Sequence, residues 1–470
     1  MKGNEIHGQR RTWRVARIGL IGLLLPLALT STAQTPLRWG TAPAAASPSV
    51  PAPQTYRNTS SNYVQASLPY AAPVSTPRAM PLAPGFDVRE FEMLAQELVA
   101  NQRVPGLALA IVQNGRVLSA RGYGITDMSA AEPVDAHTVF RLASLSKSFA
   151  GTMTGMLVND GALRWDSKLV DFIPAFRMSN PAAAQQLTIA DILSHRVGLT
   201  HNAYDRDIEG NADYHDLVQK LAYAPMTCAP GDCYAYQNVA FSMIGDVVFA
   251  ATGQFFSENV QRRIFKPLGM NDASYGLEGI AASSRWAKPH IRGGSGWVSR
   301  MPKPTYYRLP PAAGVNASIA DLAQYLIAQT GHRPDVLPAP LLATLHAPVI
   351  STPSETRGSP WRRERVSSAG YGLGWRVYNY AGRELVFHGG AVQGYRGVMA
   401  MMPERDLGIA ILWNSDSSLP SGLLPTILDR AVGLPAVAWI KREPKAADTM
   451  YAEDASNAGM ESSSSNAAPE

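Results

Sequence analysis

Phe140-Arg141-Leu142-Ala143-Ser144-Leu145-Ser146-Lys147 holds the one Ser-x-x-Lys of the chain and stands directly before a run with helical spacing. Phe149, Met153, Met156 and Leu157 fall on one face of that run, which predicts an amphipathic helix stopped by Asp160-Gly161. At positions i and i+3 of a first helical turn, a hydroxyl and an ammonium lie on the same side. The helix N-terminus adds N–H groups that favour a developing oxyanion. A serine hydroxyl becomes a nucleophile when a nearby base takes its proton, and a desolvated lysine is such a base. Of the nine lysines, only Lys147 has a serine three residues before it. Read alone, the motif serves equally well as a helix cap followed by a solvated first-turn lysine.

Upstream, Val88 to Asn101 carries apolar residues at helical spacing. Leu107–Val112 and Val117–Tyr123 are strand-like runs on either side of Asn114-Gly115, a hairpin signal because both turn residues tolerate positive φ. Residues 148–300 show helical patterns and irregular loops with few strand signals. Strands return at Glu384–Phe387, Gly397–Met402 and Gly408–Trp413. Strands at both ends enclosing a helical middle predict an α/β (α+β) fold: an antiparallel sheet flanked by helices, with an inserted all-α domain. A cleft between the two parts is the expected place for a site.

Two further short segments can do chemistry. Tyr236-Gln237-Asn238 precedes a helical pattern running to Thr252-Gly253. A tyrosine hydroxyl beside a lysine can share proton transfer, and an Asn amide can donate to a substrate carbonyl while accepting from the lysine. His388-Gly389-Gly390 closes a predicted strand, where glycines let a substrate backbone approach and pair along the edge. The histidine is expected to face the cleft as a proton donor or partial positive charge. In isolation each segment has a plainer reading: a buried tyrosine with a helix-starting Asn, and a tight turn with a surface histidine.

In this order and spacing, Ser-x-x-Lys, Tyr-x-Asn and His-x-Gly resemble the penicillin-recognising serine hydrolases related to class C β-lactamases. That group also contains D-Ala-D-Ala carboxypeptidases, D-aminopeptidases and esterases. Phe140–Ser144, Leu193–Leu199, Ile264–Met270 and Tyr371–Trp375 extend the resemblance over nearly the whole folded unit. It implies a β-lactamase/transpeptidase-like fold, Ser144 as acylated nucleophile, and Lys147 with Tyr236 handling its proton. It further implies Asn238, His388 and Gly390 at the substrate, and the backbone N–H groups of Ser144 and Ala391 as oxyanion hole. His195, in the matching segment, looks structural. One departure bears on substrate: where class C β-lactamases usually carry Lys-Thr-Gly, this chain has His388-Gly389-Gly390. A lysine is a permanent cation for a substrate carboxylate, whereas histidine is mostly neutral at pH 7. The histidine form resembles the peptidase and aminopeptidase members more. Arg396, shortly after the glycines, is either the missing carboxylate partner or a solvated strand end.

The resemblance therefore implies a serine hydrolase acting on amide or peptide bonds of a small-molecule or peptide substrate. A β-lactamase or carboxylesterase with the same site is the alternative, and a non-catalytic envelope scaffold a further one. No His-Glu-x-x-His or similar pattern points to zinc, and no cofactor is expected. No Gly-x-Ser-x-Gly elbow exists, which argues against an α/β-hydrolase.

At 470 residues and 46% hydrophobic content the chain can bury a sizeable core. Its formal charge of +5 is concentrated in residues 1–33, where Lys2, Arg10, Arg11, Arg14 and Arg17 face Glu5 alone. The remainder is nearly neutral, so charge gives no case for a nucleic-acid partner. Those residues read as a signal peptide: basic stretch, apolar run Ile18–Leu29, small residues Ser31-Thr32-Ala33. This predicts export to a bacterial periplasm, with retention by an uncleaved apolar segment as the alternative. Residues 34–85 are rich in Pro, Ala and Ser and read as a linker. The folded unit is expected at 86–440 with its α-insertion at about 148–300, and 441–470 as a disordered tail. Cys228 and Cys233 are the only cysteines. In an oxidising compartment, with Pro230-Gly231 turning the chain between them, they are expected to form a small disulfide.

Overall fold

The computed structural model describes residues 79–442, so the leader, most of the linker and nearly all of the tail lie outside the described residues. Residues 79–85, assigned to the linker by composition, are held on the fold. The Met80 N–H donates to the Glu404 carbonyl at 2.8 Å and the Ala83 N–H to the Ala431 carbonyl at 3.0 Å. Leu82 and Phe86 pack against the core, and these apolar residues are what the composition of the segment concealed.

Helix α1 (Val88–Ala100) is capped by the Asp87 side chain, which accepts from the Arg89 N–H at 3.0 Å. It buries Phe91, Ala95 and Leu98, one face at helical spacing. Strands β1 (Gly106–Gln113) and β2 (Arg116–Gly124) form the expected hairpin, with Asn114 at φ 49° and Gly115 at φ 69°. The sheet is completed by β3 (Ile350–Ser351), β4 (Val366–Tyr371), β5 (Arg376–Tyr380), β6 (Arg383–Val392), β7 (Tyr395–Met402) and β8 (Leu407–Trp413). Among the described residues these eight strands run in the order β2-β1-β8-β7-β6-β5-β4-β3, every pair antiparallel.

Both faces are covered, and β1 shows how. Leu107, Leu109 and Ile111 enter one apolar cluster, while Ala108, Ala110 and Val112 enter the other. The first face lies under α1 and the late helix Leu423–Val432. The small alanines of the second leave room for helix Ile319–Ile327, whose Leu322 and Leu326 belong to that cluster. Each such fully buried leucine contributes about 1.5–3 kcal/mol.

Helix α2 (Ser146–Asn159) differs from the amphipathic expectation, because every residue from Ser146 to Leu157 is buried. Its polar side chains are satisfied inside the protein: Ser148 donates to the Leu145 carbonyl at 2.8 Å, Thr154 to the Ala150 carbonyl at 2.9 Å, and Thr152 bonds Tyr325 Oη at 2.9 Å. A Cβ at Gly374, which has φ 86°, would collide with the Lys147 carbonyl, so the Tyr371–Trp375 loop lies directly on α2. The helical part between the strand groups includes α3 (Asp205–Glu209) and α4 (Val239–Thr252), the latter ended by Gly253 at φ 70°. It also contains a small hairpin, His290–Gly293 with Gly296–Ser299, which the sparse strand signals did not show. Helix α5 (Pro360–Arg365) precedes β4, and α6 (Leu423–Val432) and α7 (Trp439–Arg442) close the described chain.

Candidate active site

Packing rather than a side-chain cap builds the turn that carries Ser144. Ala143–Leu145 form a single 3₁₀ turn, and the N-cap position of α2 is Leu145, with no side-chain cap. The helix-cap reading of Ser144 is therefore not what the structure shows. Ala143 sits at φ 49°, a left-handed conformation that costs a non-glycine residue about 1–2 kcal/mol. The turn is held from both sides: Ser146 Oγ accepts from the Val315 N–H at 3.0 Å, and the Leu145 N–H bonds the Leu142 carbonyl at 3.2 Å. Leu142 and Leu145 are buried below it.

Lys147, one turn along, is completely buried. Its Nζ donates to Ser144 Oγ at 3.2 Å, to Asn238 Oδ1 at 2.7 Å and to the Ala312 carbonyl at 3.2 Å. The ammonium also lies 4.6 Å from the centre of the Tyr236 ring. Three residues far apart in sequence thus meet at one nitrogen.

The Tyr236–Asn238 segment is held by His195, a residue at φ 58°. The His195 carbonyl accepts from the Ala235 N–H at 2.9 Å, and its ring Nδ1 accepts from the Gln237 N–H at 3.1 Å. An accepting Nδ1 requires a neutral ring with its proton on Nε2. Burial, then the nearby charges of Lys147 and Arg376, holds this histidine well below its ordinary pKa. The ring also lies 4.3 Å from that of Tyr236, centre to centre. Asp205 at the start of α3 is a site residue that no sequence pattern marked. Its Oδ2 accepts from Asn238 Nδ2 at 2.6 Å, which orients the Asn amide so that its oxygen faces Lys147.

A family model described as Beta-lactamase matches residues 91–434. The chain belongs to the Beta-lactamase family. It is 26% identical over 395 residues to the unguisins hydrolase ungD of Aspergillus violaceofuscus, covering 78% of this chain and 69% of that one. It is 26% identical over 376 residues to penicillin-binding protein 4 of Amycolatopsis lactamdurans, covering 77% and 96%. Among solved structures, the octameric penicillin-binding protein homologue from Pyrococcus abyssi matches with a TM-score of 0.65 and 25% identity, over 76% of this chain and 79% of that one. The antiparallel sheet with its helical insertion is the fold of this family, whose members are hydrolases.

In this Beta-lactamase family member, Ser144, Tyr236, Asn238, Gly390 and Ala391 all line one cleft of ≈500 Å³. His388 does not line it. The side chain is fully buried, its Nε2 bonded to Tyr371 Oη at 3.0 Å and its Nδ1 to the Gly389 carbonyl at 2.7 Å. Burial and the charges of Arg376 and Lys147 hold it well below its ordinary pKa. The expectation of a cleft-facing histidine is corrected: β6 continues through residue 392, and strand alternation turns His388 inward.

Gly390, which lines the cleft, also makes room for the Ser144 turn. A Cβ there would collide with the Leu142 carbonyl, so the glycine admits the Ser144 turn, and the space its side chain would fill is closed to substrate. Gly397, its partner across β6 and β7, would bring a Cβ to 3.1 Å from Leu145 Cδ1. The two glycines make the flat place on which the turn rests.

Cys228 and Cys233 are bonded to each other. Their loop lies against the segment after His195, with the Thr227 N–H donating to the Gly198 carbonyl and the Gly231 N–H to the Arg196 carbonyl, both at 2.8 Å. Among the described residues no group of three or more His, Cys, Asp or Glu could hold a metal ion.

Proposed function

We propose that this chain is an exported serine hydrolase that forms an acyl-enzyme at Ser144 and cleaves amide or peptide bonds, those of D-amino-acid peptides among them. The observation that carries the reading is the position of Lys147 Nζ, within hydrogen-bond reach of both Ser144 Oγ and Asn238 Oδ1 and under the Tyr236 ring. In the reaction Ser144 Oγ attacks the carbonyl carbon while Lys147 with Tyr236 takes the hydroxyl proton. The resulting oxyanion is held by the N–H groups of Ser144 and Ala391, at the helix start and the strand edge. Collapse breaks the C–N bond and the proton passes to the leaving amine. Water, activated by the same groups, then releases the acyl part and restores the serine.

Hydrolysis of a β-lactam or an ester would use the same steps. The β-lactamase reading is the less favoured one, because the position that holds the cationic lysine of Lys-Thr-Gly carries a buried, neutral histidine here. Initial rates on a D-alanyl peptide, a chromogenic cephalosporin and a nitrophenyl ester rank the three. The reading requires the peptide to have the highest kcat/KM; a cephalosporin turned over faster would make β-lactam hydrolysis the activity.

A further inference from the structure

The pairing of β5 with β6 ends at Arg376 opposite Phe387. From His388 to Val392, β6 has β7 on one side and no described strand on the other. The cleft runs through this gap. At its inner end stand Ser144, Tyr236 and Asn238; beyond the strand edge it is lined by Phe387, Trp361, Val398, Trp413 and Leu424. Those five belong to the apolar cluster on the opposite face of the sheet. Strand alternation makes the passage possible, since Phe387, Gly389 and Ala391 project to that face while His388 and Gly390 project to the other. Gly389 leaves the doorway open: a Cβ there would meet only Phe387 Cζ, at 3.6 Å.

The outer chamber is lined by basic side chains and by no acid. The acids that line the cleft, Asp205 and Glu209, both belong to α3 at the inner end. The outer rim carries the exposed Arg357, Arg363 and Arg442. Arg442 pairs with Glu364, whereas Arg357 and Arg363 have no carboxylate partner among the described residues. A chamber with one apolar wall and a cationic rim selects an apolar group attached to an anion.

We propose that this chamber is a substrate subsite that takes a large apolar side chain with an adjacent carboxylate. The preferred substrate is then a peptide-like acid ending in a large apolar residue, threaded past the edge of β6. The inference rests on acyl transfer at Ser144, and its test separates the two. The kcat/KM values of N-acetyl-D-alanyl-D-phenylalanine and of its C-terminal amide are compared in the full chain. The acid is expected to be preferred by about tenfold, as for a charge-assisted contact at a partly solvated rim. Added salt contracts the preference. In the R357Q/R363Q variant the ratio falls to about one, with thermal unfolding checked to show that the fold is kept. Gly389→Val, which has room for its Cβ but fills the doorway, loses the preference for D-phenylalanine over D-alanine at the last position.

Equal rates for acid and amide, with Ser144 still acylated by penicillin, overturn the subsite and leave the hydrolase reading standing. Loss of acylation at Ser144 itself would strike that reading instead. The segment after Arg442 is acidic, with Glu443, Asp448, Glu453, Asp454, Glu461 and Glu470 against Lys445. If converting those acids to amides raised activity on acid and amide alike, the chamber's occupant would be the chain's own tail and the proposal would fall.

Discussion

The carbonyl oxygen of Leu142 stands where a Cβ of residue 390 would be, so strand β6 and the Ser144 turn touch through the missing side chain of Gly390. Gly390→Ala is therefore expected to push the turn off the strand. Overpacking of this kind costs about 1–3 kcal/mol, and a displacement approaching 1 Å lowers acylation by about 100-fold. Urea unfolding and acylation rates measure the two effects. Gly389→Ala is the control for the fold: its Cβ has ordinary contacts, and near wild-type stability in urea is expected.

Asp205 acts through Asn238, as a positioning residue. Asp205→Asn removes the charge that fixes the Asn238 amide and leaves its oxygen free to turn from Lys147. A loss of one buried charge-assisted hydrogen bond corresponds to about 10- to 100-fold in kcat/KM. The loss should fall on kcat more than on KM, and Asp205→Glu should restore part of it. Unchanged kcat in Asp205→Asn would remove Asp205 from the site.

Buried neutral histidines contribute to the pH dependence of stability. His195 and His388 are both fully buried with pKa values lowered by burial. Unfolded, each titrates near 6.5. Below about pH 6.5 the unfolded chain binds protons that the folded one does not, so stability falls with falling pH and is level above about pH 7 as far as these groups are concerned. Chemical denaturation across pH 5–8 measures the slope. His388→Gln should reduce the slope by the share of one histidine and leave that of His195, and an unchanged slope in this variant would contradict a neutral ring at His388.

The Cys228–Cys233 bond closes a short loop, with a sequence separation of 5. Loop-closure entropy assigns it about 2 kcal/mol. The Cys228→Ser/Cys233→Ser variant should lose that amount in urea unfolding. Its activity should fall only modestly, because the Tyr236 segment is tied to His195 independently of the disulfide.

The parts of this fold that were legible in sequence are those with local causes. Asn114-Gly115 marks a hairpin because both residues accept positive φ, and Thr252-Gly253 marks a helix end for the same reason. Strand β5 leaves no clear signal in the sequence: Arg376 and Asn379 interrupt its apolar pattern, and Tyr378 and Tyr380 are buried by α5 and α6 neighbours distant in sequence. The site divides in the same way. Ser144, Lys147, Tyr236 and Asn238 were found from spacing and resemblance, and the structure brings them to one nitrogen. Asp205 carried no signal, because its role exists only when α3 meets Asn238 in space. The inward direction of His388 is hidden in the sequence, because a histidine followed by two glycines reads as a strand end, whereas the strand runs on for four residues.

The central claim is that Ser144 is the nucleophile and that Lys147 activates it. Intact-mass and peptide mass spectrometry of the purified protein, with and without penicillin, tests it most directly. One added penicilloyl group per chain, located on Ser144 and abolished in Ser144→Ala and in Lys147→Ala, is the expected result. A wild-type chain that acquires no adduct, or acquires one elsewhere with Ser144 unmodified, would contradict it.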